Sequence, residues 1–232
     1  MTRMARPTVT VLDYGSGNLR SAYRAVARAG GDVTVTADLN AATSADGLIV
    51  PGVGAFAACM AGIDALEVGP MIAARVAAGR PVLGICVGMQ ILFEYGEEAP
   101  ATTSSERSES RERDRRVVTK GLGLLPGGVT RLDAERVPHM GWNTVAAPAD
   151  SLLFNGIEPA TRFYFVHSYA AHTGEALSAA GARVATTVHG GEFVAAVECG
   201  PVSATQFHPE KSGDAGAALL RNWIGWLRTG RQ

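Results

Sequence analysis

The sequence predicts an α/β fold: a mostly parallel β-sheet flanked by helices, with antiparallel strands added in the C-terminal half. Two observations lead to this prediction. In the first half, short apolar runs typical of buried strands alternate with helical patterns, an order that produces a parallel sheet. In the second half, apolar runs follow one another with only short turns rich in Gly, Pro and Asn between them. Such spacing favours antiparallel pairing.

The elements of the first half follow one another as strands and helices. The predicted strands are short and mostly apolar, and the stretches between several of them show a helical pattern. The first helix stops at Gly30-Gly31, because glycine commonly ends a helix. The predicted elements are strand 9–12, helix 19–29, strands 32–36 and 47–50, helices 57–66 and 70–78, strand 81–85 and a helical pattern over 89–94.

The second half has a different pattern, in which strands are separated by short turns. The tetrapeptide His189-Gly190-Gly191-Glu192 is typical of a tight hairpin, since glycine adopts the positive φ values that such turns need. A stretch rich in Ala and Leu closes the chain as a helix. The predicted elements are strands 129–132, 162–166, 182–188, 193–198 and 202–206, and helix 215–227.

Length and composition agree with one globular domain over residues 1–232. Of the 232 residues, 47% are hydrophobic, which is enough for a sizeable core. The formal net charge of −1 argues against a nucleic-acid binder, which usually shows a basic excess. Three cysteines in no metal-like spacing favour a reducing compartment over a disulfide scaffold. We see no signal peptide and no membrane span, and expect a cytoplasmic protein.

One segment departs from this pattern. Residues 99–116 consist mainly of Ser, Thr, Glu and Arg, with almost no apolar side chain. Such a segment cannot bury enough surface to offset the entropy of ordering. We therefore expect a mobile, charged insertion between the two halves of the domain.

Cys86 is the first candidate catalytic residue. It stands at the centre of Gly84-Ile85-Cys86-Val87-Gly88, between a strand and a helical pattern. This order predicts a nucleophile elbow, in which the flanking glycines allow the tight backbone and the side chain is pushed into solvent. A thiol at a helix N-terminus ionises more easily, and the thiolate is the reactive form. A buried structural thiol is the alternative.

His208 and Glu210 supply a candidate base and its partner. Pro209 disfavours helical backbone at His208, so we expect the segment to be extended. Residues two apart in an extended chain share a face, which brings the two side chains together. A carboxylate beside an imidazole fixes its tautomer while the imidazole serves a nucleophile. Cys86, His208 and Glu210 therefore form a candidate Cys-His-Glu triad; a surface turn unrelated to Cys86 is the alternative.

Several motifs together resemble a known family. The elbow and Phe207-His208-Pro209-Glu210 are similar to segments of the class I, or triad, glutamine amidotransferases. Other segments resemble the glutaminase subunits of imidazole glycerol phosphate synthase, which acts in histidine biosynthesis. The resemblance implies the class I glutamine amidotransferase-like fold and the hydrolysis of glutamine to glutamate and ammonia. These other segments, which extend the resemblance over nearly the whole chain, are 13–19, 51–54, 138–143, 164–169 and 206–212.

The remaining parts of a glutaminase site follow partly from chemistry and partly from this resemblance. Attack on an amide develops an oxyanion that needs N–H donors. The amide of Val87, directly after the nucleophile, is one candidate. The resemblance assigns the second donor to Gly52 and Val53, in a loop that is expected to flip to form it. It assigns the contacts with the substrate glutamine to Gln90, His167, Ser168 and Tyr169.

The resemblance also implies a partner protein. It predicts a heterodimer with a (β/α)₈-barrel cyclase, which receives ammonia through a sheltered path and joins it to a phosphorylated ribulosyl-imidazole intermediate. The products would be imidazole glycerol phosphate and an aminoimidazole carboxamide ribotide. Trp142, in an exposed-looking loop, is of a residue type enriched at interface hot spots, although a core tryptophan is the alternative. The residues expected at this interface are Asn18, His139, Trp142, Asn143 and Lys211.

Other functions are weighed against this interpretation. Gly15-Ser16-Gly17 follows a strand, but Arg20 replaces the last glycine of a dinucleotide fingerprint, so we expect no NAD binding. His208 and Glu210 alone make a poor metal site, and we expect neither a metal nor a cofactor. A pyridoxal phosphate synthase glutaminase or a γ-glutamyl hydrolase would explain the triad but not Gly141-Trp142-Asn143. A regulatory binding module that kept the fold is the non-enzyme alternative.

Overall fold

The computed structural model describes residues 5–98, 118–172 and 174–229, so the insertion expected over 99–116 lies outside the described residues. Strands and helices alternate through the first half, and strands dominate the second. The strands are β1 Thr8–Leu12, β2 Asp32–Thr36, β3 Gly47–Gly52, β4 Val82–Cys86, β5 Phe93–Gly96, β6 Thr119–Lys120, β7 Leu125–Arg131, β8 His139–Thr144, β9 Arg162–His167, β10 Tyr169–Ala171, β11 Arg183–His189, β12 Gly191–Cys199 and β13 Val202–Thr205. The helices are α1 Leu19–Arg28, α2 Leu39–Ser44, α3 Phe56–Ala65, α4 Val68–Ala77, α5 Val87–Gln90, α6 Glu175–Ala179 and α7 Gly213–Thr229.

A central sheet organises the fold. Its strand order is β11-β12-β13-β4-β3-β1-β2. The strands from β13 to β2 run parallel, whereas β11, β12 and β13 pair antiparallel. Every position of β3 and β4 is buried, as expected for central strands that are covered on both faces. The predicted α/β fold, with antiparallel strands added from the C-terminal half, is confirmed.

Helix α1 buries an apolar side and exposes a polar one. In α1, Ala22 and Val26 are buried, while the arginines at positions 20, 24 and 28 are exposed. No single described helix is long and apolar enough to cross a membrane, and α3 and α4 meet that criterion only as a pair bent by 91°. The buried side of α7, which closes the domain, consists of Gly216, Leu219, Leu220, Trp223, Ile224 and Leu227.

A second sheet, in the order β10-β7-β5-β6, corrects one sequence prediction. The helical pattern predicted over 89–94 is wrong, because α5 ends at Gln90 and Phe93 begins β5. Phe93 pairs with Leu125 of β7 in a parallel ladder. Pairing with a strand that is distant in the sequence thus overrides the local apolar spacing.

The segment 138–143, interpreted as an exposed loop, is a strand along most of its length. His139–Thr144 form β8, which pairs antiparallel with β9 at every position. Side chains of a strand alternate between its two faces. Here the buried face begins with the polar His139, while Met140 and Trp142 are exposed. A half-buried strand normally shows the opposite arrangement, which is why the sequence pattern suggested a loop.

Candidate active site

The candidate site lies where the carboxyl ends of three neighbouring strands meet. Gly52 at the end of β3 is in register with Cys86 at the end of β4. Ile85 of β4 pairs with Thr205 at the end of β13, and His208 follows shortly after. In open parallel sheets, ligands bind outside the carboxyl ends of the strands. The topology therefore brings Cys86 and His208 to the same edge, although they are far apart in the sequence.

The backbone at Cys86 forms a sharp strand-to-helix turn. Its φ of 56° and ψ of −115° are unusual for a residue with a side chain. The turn is packed directly on β3, since a Cβ on Gly88 would lie 1.9 Å from the Val50 carbonyl oxygen. The expectation that the Cys86 side chain protrudes into solvent is wrong. Cys86 is only 3% exposed, and it lines a cavity instead.

His208 and Glu210 form a buried hydrogen-bonded pair. Nδ1 of His208 lies 2.7 Å from Oε1 of Glu210, and both side chains are almost fully buried. His208 is extended, as predicted, but Pro209–Lys211 form a 3₁₀ turn. The pair is therefore brought together by a turn and not by the shared face of a strand. The backbone N–H of His208 donates to the Tyr164 carbonyl, and the Ser212 hydroxyl donates to the His208 carbonyl.

The electrostatics of this pair favour a protonated imidazole. Burial on its own disfavours the charged ring, but hydrogen bonds and charge interactions with Cys86 and Glu210 outweigh it. Together they raise the pKa of His208 to about 9. An imidazolium beside the sulfur stabilises a thiolate. The three side chains can therefore supply a nucleophile, a proton donor and a carboxylate that orients the ring.

The variant Glu210→Gln tests the contribution of the carboxylate. We expect it to lower the pKa of His208 from about 9 toward the ordinary value of 6.5, because one of the two groups that favour the charged ring loses its charge. Titration of the His208 ring by NMR measures this shift. An unchanged titration would contradict the assigned role of Glu210.

The same pair makes stability depend on pH. Because the folded-state pKa of His208 is raised, its contribution to stability is fully present below about pH 6.5 and is lost as the pH rises through about 9. The difference in unfolding free energy between wild type and Glu210→Gln should therefore shrink over this range. A difference that stays constant from pH 6 to pH 10 would argue against the coupling.

A cavity of about 360 Å³ lies in front of Cys86 and His208. Within the described residues, Glu98 supplies the one carboxylate of its lining. Glu98 accepts the backbone N–H of Phe56 at 2.7 Å, and burial raises the pKa of this carboxyl. Glu98 was not among the predicted site residues, because at the edge of the charged segment it resembled part of a solvated loop. The cavity is also lined by Val53, Gly54, Val87, Gln90, Pro138, Val166, His167, Ser168, Tyr169 and Lys211.

Gln90, one turn after Cys86, is held by two hydrogen bonds. Its Nε2 donates to the Tyr169 carbonyl at 2.8 Å and to Oε1 of Gln206 at 3.0 Å. Nε2 of Gln206 in turn lies 3.9 Å from the Cys86 sulfur. Gln206 was not among the predicted site residues, although it begins the segment 206–212 that carries part of the family resemblance. Elsewhere in the described ranges, no group of three His, Cys, Asp or Glu side chains is arranged to hold a metal ion.

The loop after β3 is held by Tyr14 and Ser16. The Tyr14 hydroxyl donates to the Pro51 carbonyl at 2.5 Å. The Ser16 hydroxyl accepts the N–H of Val53 at 3.1 Å and lies 2.9 Å from the Val53 carbonyl oxygen. The N–H of Val53, expected as an oxyanion donor, is therefore engaged elsewhere in this conformation. The amide of Val87, by contrast, opens α5 directly after the nucleophile.

The residues expected at a partner interface differ in exposure. Trp142 is 53% exposed, which excludes the alternative of a core tryptophan, and its neighbour on the same face, Met140, is 63% exposed. His139 is only 5% exposed, and its imidazole contacts His167 in the interior. The remaining expected residues are Asn18 and Lys211, which are exposed, and Asn143, which is half-buried.

Sequence comparisons identify the family. Residues 10–225 match the model of the family described as glutamine amidotransferase class-I. The imidazole glycerol phosphate synthase subunit HisH of Nocardia farcinica is 59% identical over 227 residues, which cover 97% of this chain and 100% of that protein. The subunit of the same name from Thermobifida fusca is 57% identical over 226 residues, which cover 96% of this chain and 100% of that protein.

A solved structure shares the fold over nearly the whole chain. The crystal structure of a putative GMP synthase protein from Thermoplasma acidophilum matches with a TM-score of 0.68 at 20% identity, covering 99% of this chain and 98% of that one. At this identity, the likeness supports the fold alone. The family match extends over most of the sequence and agrees with the parallel sheet and with the geometry at its carboxyl edge. The chain therefore belongs to the class I glutamine amidotransferase family.

Proposed function

We propose that this chain is the glutaminase subunit of imidazole glycerol phosphate synthase, working in the cytoplasm. It hydrolyses glutamine to glutamate and ammonia and passes the ammonia to a cyclase partner in histidine biosynthesis. The observation that carries the proposal is the hydrogen-bonded pair of His208 and Glu210 beside Cys86, at the wall of the cavity. The names of the relatives at 59% and 57% identity support the specific enzyme.

The lining of the cavity supports an orientation for glutamine. The α-ammonium group of the substrate needs an anion, and Glu98 is the carboxylate at hand. The α-carboxylate needs hydrogen-bond donors, which the backbone of Ser168 and Tyr169 can provide. Gln90, whose amide already bonds to Tyr169, fixes this side of the cavity. The side-chain amide of glutamine is then directed toward Cys86.

The proposed reaction follows from the protonation states of the triad. The Cys86 thiolate attacks the amide carbon. The resulting oxyanion accepts a hydrogen bond from the backbone N–H of Val87 and, after the loop rearranges, a second one from the backbone N–H of Val53. His208 gives its proton to the departing nitrogen, so that ammonia leaves and a glutamyl thioester forms. The neutral His208 then takes a proton from water as the water attacks the thioester. Glutamate is released, and the thiolate and the imidazolium are restored.

The conformation of the loop after β3 supports the expectation that the chain hydrolyses glutamine slowly without a partner. As long as the N–H of Val53 donates its hydrogen bond to the Ser16 hydroxyl, it is not available as the second donor to the oxyanion. Removing one oxyanion donor costs an enzyme roughly 10²- to 10³-fold in rate. We therefore expect weak activity of the lone chain and activation when a partner shifts the loop.

The variant Ser16→Ala tests this restraint. The variant removes two contacts of the Ser16 hydroxyl, one with the N–H of Val53 and one with the Val53 carbonyl oxygen. Together they correspond to one or two hydrogen bonds of about 1 kcal/mol each. We expect glutamate release without a partner to rise roughly 5- to 30-fold, the factor that corresponds to this energy. Ser44→Ala, which removes a hydroxyl bonded within α2, should leave the rate unchanged. An unchanged rate in Ser16→Ala would refute the restraint.

The exposed face of β8 is the surface that we propose the partner contacts. Trp142 and Met140 are both more than half exposed, and large apolar side chains that lie together on a surface often mark an interface. We propose that a (β/α)₈-barrel cyclase covers this face and forms imidazole glycerol phosphate and an aminoimidazole carboxamide ribotide. The residues proposed to contact it are Asn18, Trp142, Asn143 and Lys211.

The choice of partner separates the alternatives. A glutaminase of pyridoxal phosphate synthase would use the same triad with another synthase subunit, and a γ-glutamyl hydrolase would need no partner. The pure chain is mixed with the cyclase in one sample and with the pyridoxal phosphate synthase subunit in another, and complexes are detected by size-exclusion chromatography. We expect a complex with the cyclase alone. A complex with the other subunit, or with neither, would reject the specific assignment.

A further inference from the structure

His139 and His167 are hydrogen-bonded to each other inside the protein. Nδ1 of His139 lies 3.0 Å from Nε2 of His167, and the two residues are register partners across β8 and β9. Both are buried, with exposures of 5% and 7%. His167 lines the cavity, whereas His139 belongs to the strand that exposes Trp142 on its other face. The pair therefore connects the proposed docking strand with the substrate site.

Neighbouring groups fix which ring nitrogens carry a proton. Nδ1 of His167 lies 2.9 Å from the Tyr169 carbonyl oxygen, and a carbonyl only accepts, so this Nδ1 is protonated. Nε2 of neutral His167 then accepts, and Nδ1 of His139 donates to it. Nε2 of His139 is left as an acceptor for the Asn143 amide at 3.4 Å. Every bond thus points in one direction, from Asn143 toward Tyr169.

The hydrogen bonds continue from Tyr169 toward the nucleophile. The Tyr169 carbonyl also accepts Nε2 of Gln90 at 2.8 Å. Gln90 donates to Gln206, whose own amide nitrogen lies 3.9 Å from the Cys86 sulfur. The backbone of Ser168 and Tyr169, proposed to hold the amino-acid end of glutamine, lies in the middle of this series.

The surroundings keep both imidazoles neutral. His139 stacks on Phe165, with ring centroids 4.8 Å apart, and on His189, at 4.3 Å. Burial, followed by the charge of His189, lowers the pKa of His139 to about 4. Burial also lowers the pKa of His167 to about 3; the hydrogen bond to the Tyr169 carbonyl acts in the opposite direction but is outweighed, and protonation of His139, His189 or His208 would lower the pKa further. The directed arrangement is therefore the one present near neutral pH.

We propose that His139 and His167 are positioning residues that hold the Tyr169 carbonyl and the adjoining amides in place for glutamine. The inference rests on the proposed function for the identity of the substrate. Because the triad is not touched, loss of the His139 donor should weaken glutamine binding and not the chemical step.

Three variants test the proposal kinetically. His139→Phe keeps the stacked ring but removes both hydrogen bonds, and leaves a buried acceptor on His167 without a donor. We expect the KM for glutamine to rise about tenfold with kcat within about twofold, consistent with one lost buried hydrogen bond. His139→Asn keeps a short donor and should restore KM to within about threefold of wild type. His172→Asn, an exposed histidine outside the series, should change neither value. The proposal would be overturned if His139→Phe lowered kcat without changing KM, or if His139→Phe and His139→Asn raised KM equally.

A second readout does not depend on glutaminase activity. In ¹⁵N NMR spectra of the free wild-type chain, both His139 and His167 should be neutral at pH 6 and protonated on Nδ1. In His139→Phe, His167 loses the donor that opposes its protonation, so its pKa should rise above about 3, although burial, the larger cause, keeps it below 6.5. If the chain proved inactive with every partner, the proposed function would fail while this result could still hold. A proton on Nε2 of His167 in the wild type would overturn the inference by itself.

Discussion

Cys86→Ala is expected to abolish glutamate release, lowering kcat by about 10⁴-fold or more, because no thioester forms without the sulfur. Cys86 is buried at the wall of the cavity, so the smaller side chain enlarges an existing space and does not disturb the sheet. The variant should therefore still fold and bind glutamine. Release of glutamate in a coupled assay, and glutamine binding by calorimetry, measure the two properties separately.

Cys199→Ala is the matched control for this experiment. Cys199 lies half-buried at the end of β12, and its thiol donates a hydrogen bond to the Ala180 carbonyl oxygen over a distance of 3.5 Å. We expect wild-type activity in this variant. If Cys86→Ala retained more than a few per cent of the activity, the thiol would not be the nucleophile. If both variants lost activity equally, the loss would reflect folding.

Gly88→Ala is expected to destabilise the fold by about 3 kcal/mol and to remove activity with it. An added Cβ would lie 1.9 Å from the Val50 carbonyl oxygen and 3.0 Å from the Pro51 carbonyl carbon, both of them backbone atoms of the central strand β3. Neither can move without disturbing the parallel ladder to β4. The elbow could therefore form only at a greater distance from β3. Urea unfolding gives the change in free energy.

Gly225→Ala separates this steric effect from the general effect of adding a methyl group. Gly225 lies inside α7, and no heavy atom lies within 4 Å of its ideal Cβ position. Alanine is a better helix former than glycine, so this variant should be more stable by roughly 0.5–1 kcal/mol. A similar loss of stability in both variants would contradict the packing argument for Gly88.

The sequence allowed the central sheet and the arrangement around Cys86 to be predicted because both depend on local, strongly patterned signals. The apolar runs before Pro51 and Cys86 are buried strands, and parallel strands leave their carboxyl ends at one edge. A proline after His208 restricts the backbone locally, and Glu210 is close enough in the chain to reach the ring. Functional residues that lie close together in the sequence can therefore be predicted before the fold is known.

Other features depend on contacts between distant segments and could not be predicted. Phe93 and Glu94 ended the helical pattern predicted over 89–94, but both belong to β5, which pairs with β7. Glu98 looks like part of a charged surface until the cavity brings it to the site. The bond between His139 and His167 depends on the register of β8 and β9. The restraint of Val53 by Ser16 likewise joins residues that are distant in the sequence.

Glutamate release from glutamine by the pure chain, with and without the barrel cyclase carrying its ribulosyl-imidazole ligand, is the decisive measurement. We expect slow release by the lone chain and a large rise with the liganded cyclase, both absent in Cys86→Ala. Fast release that the cyclase does not change would assign the triad to a different amidotransferase or to a hydrolase. No release under either condition would contradict the proposed function and favour a regulatory module.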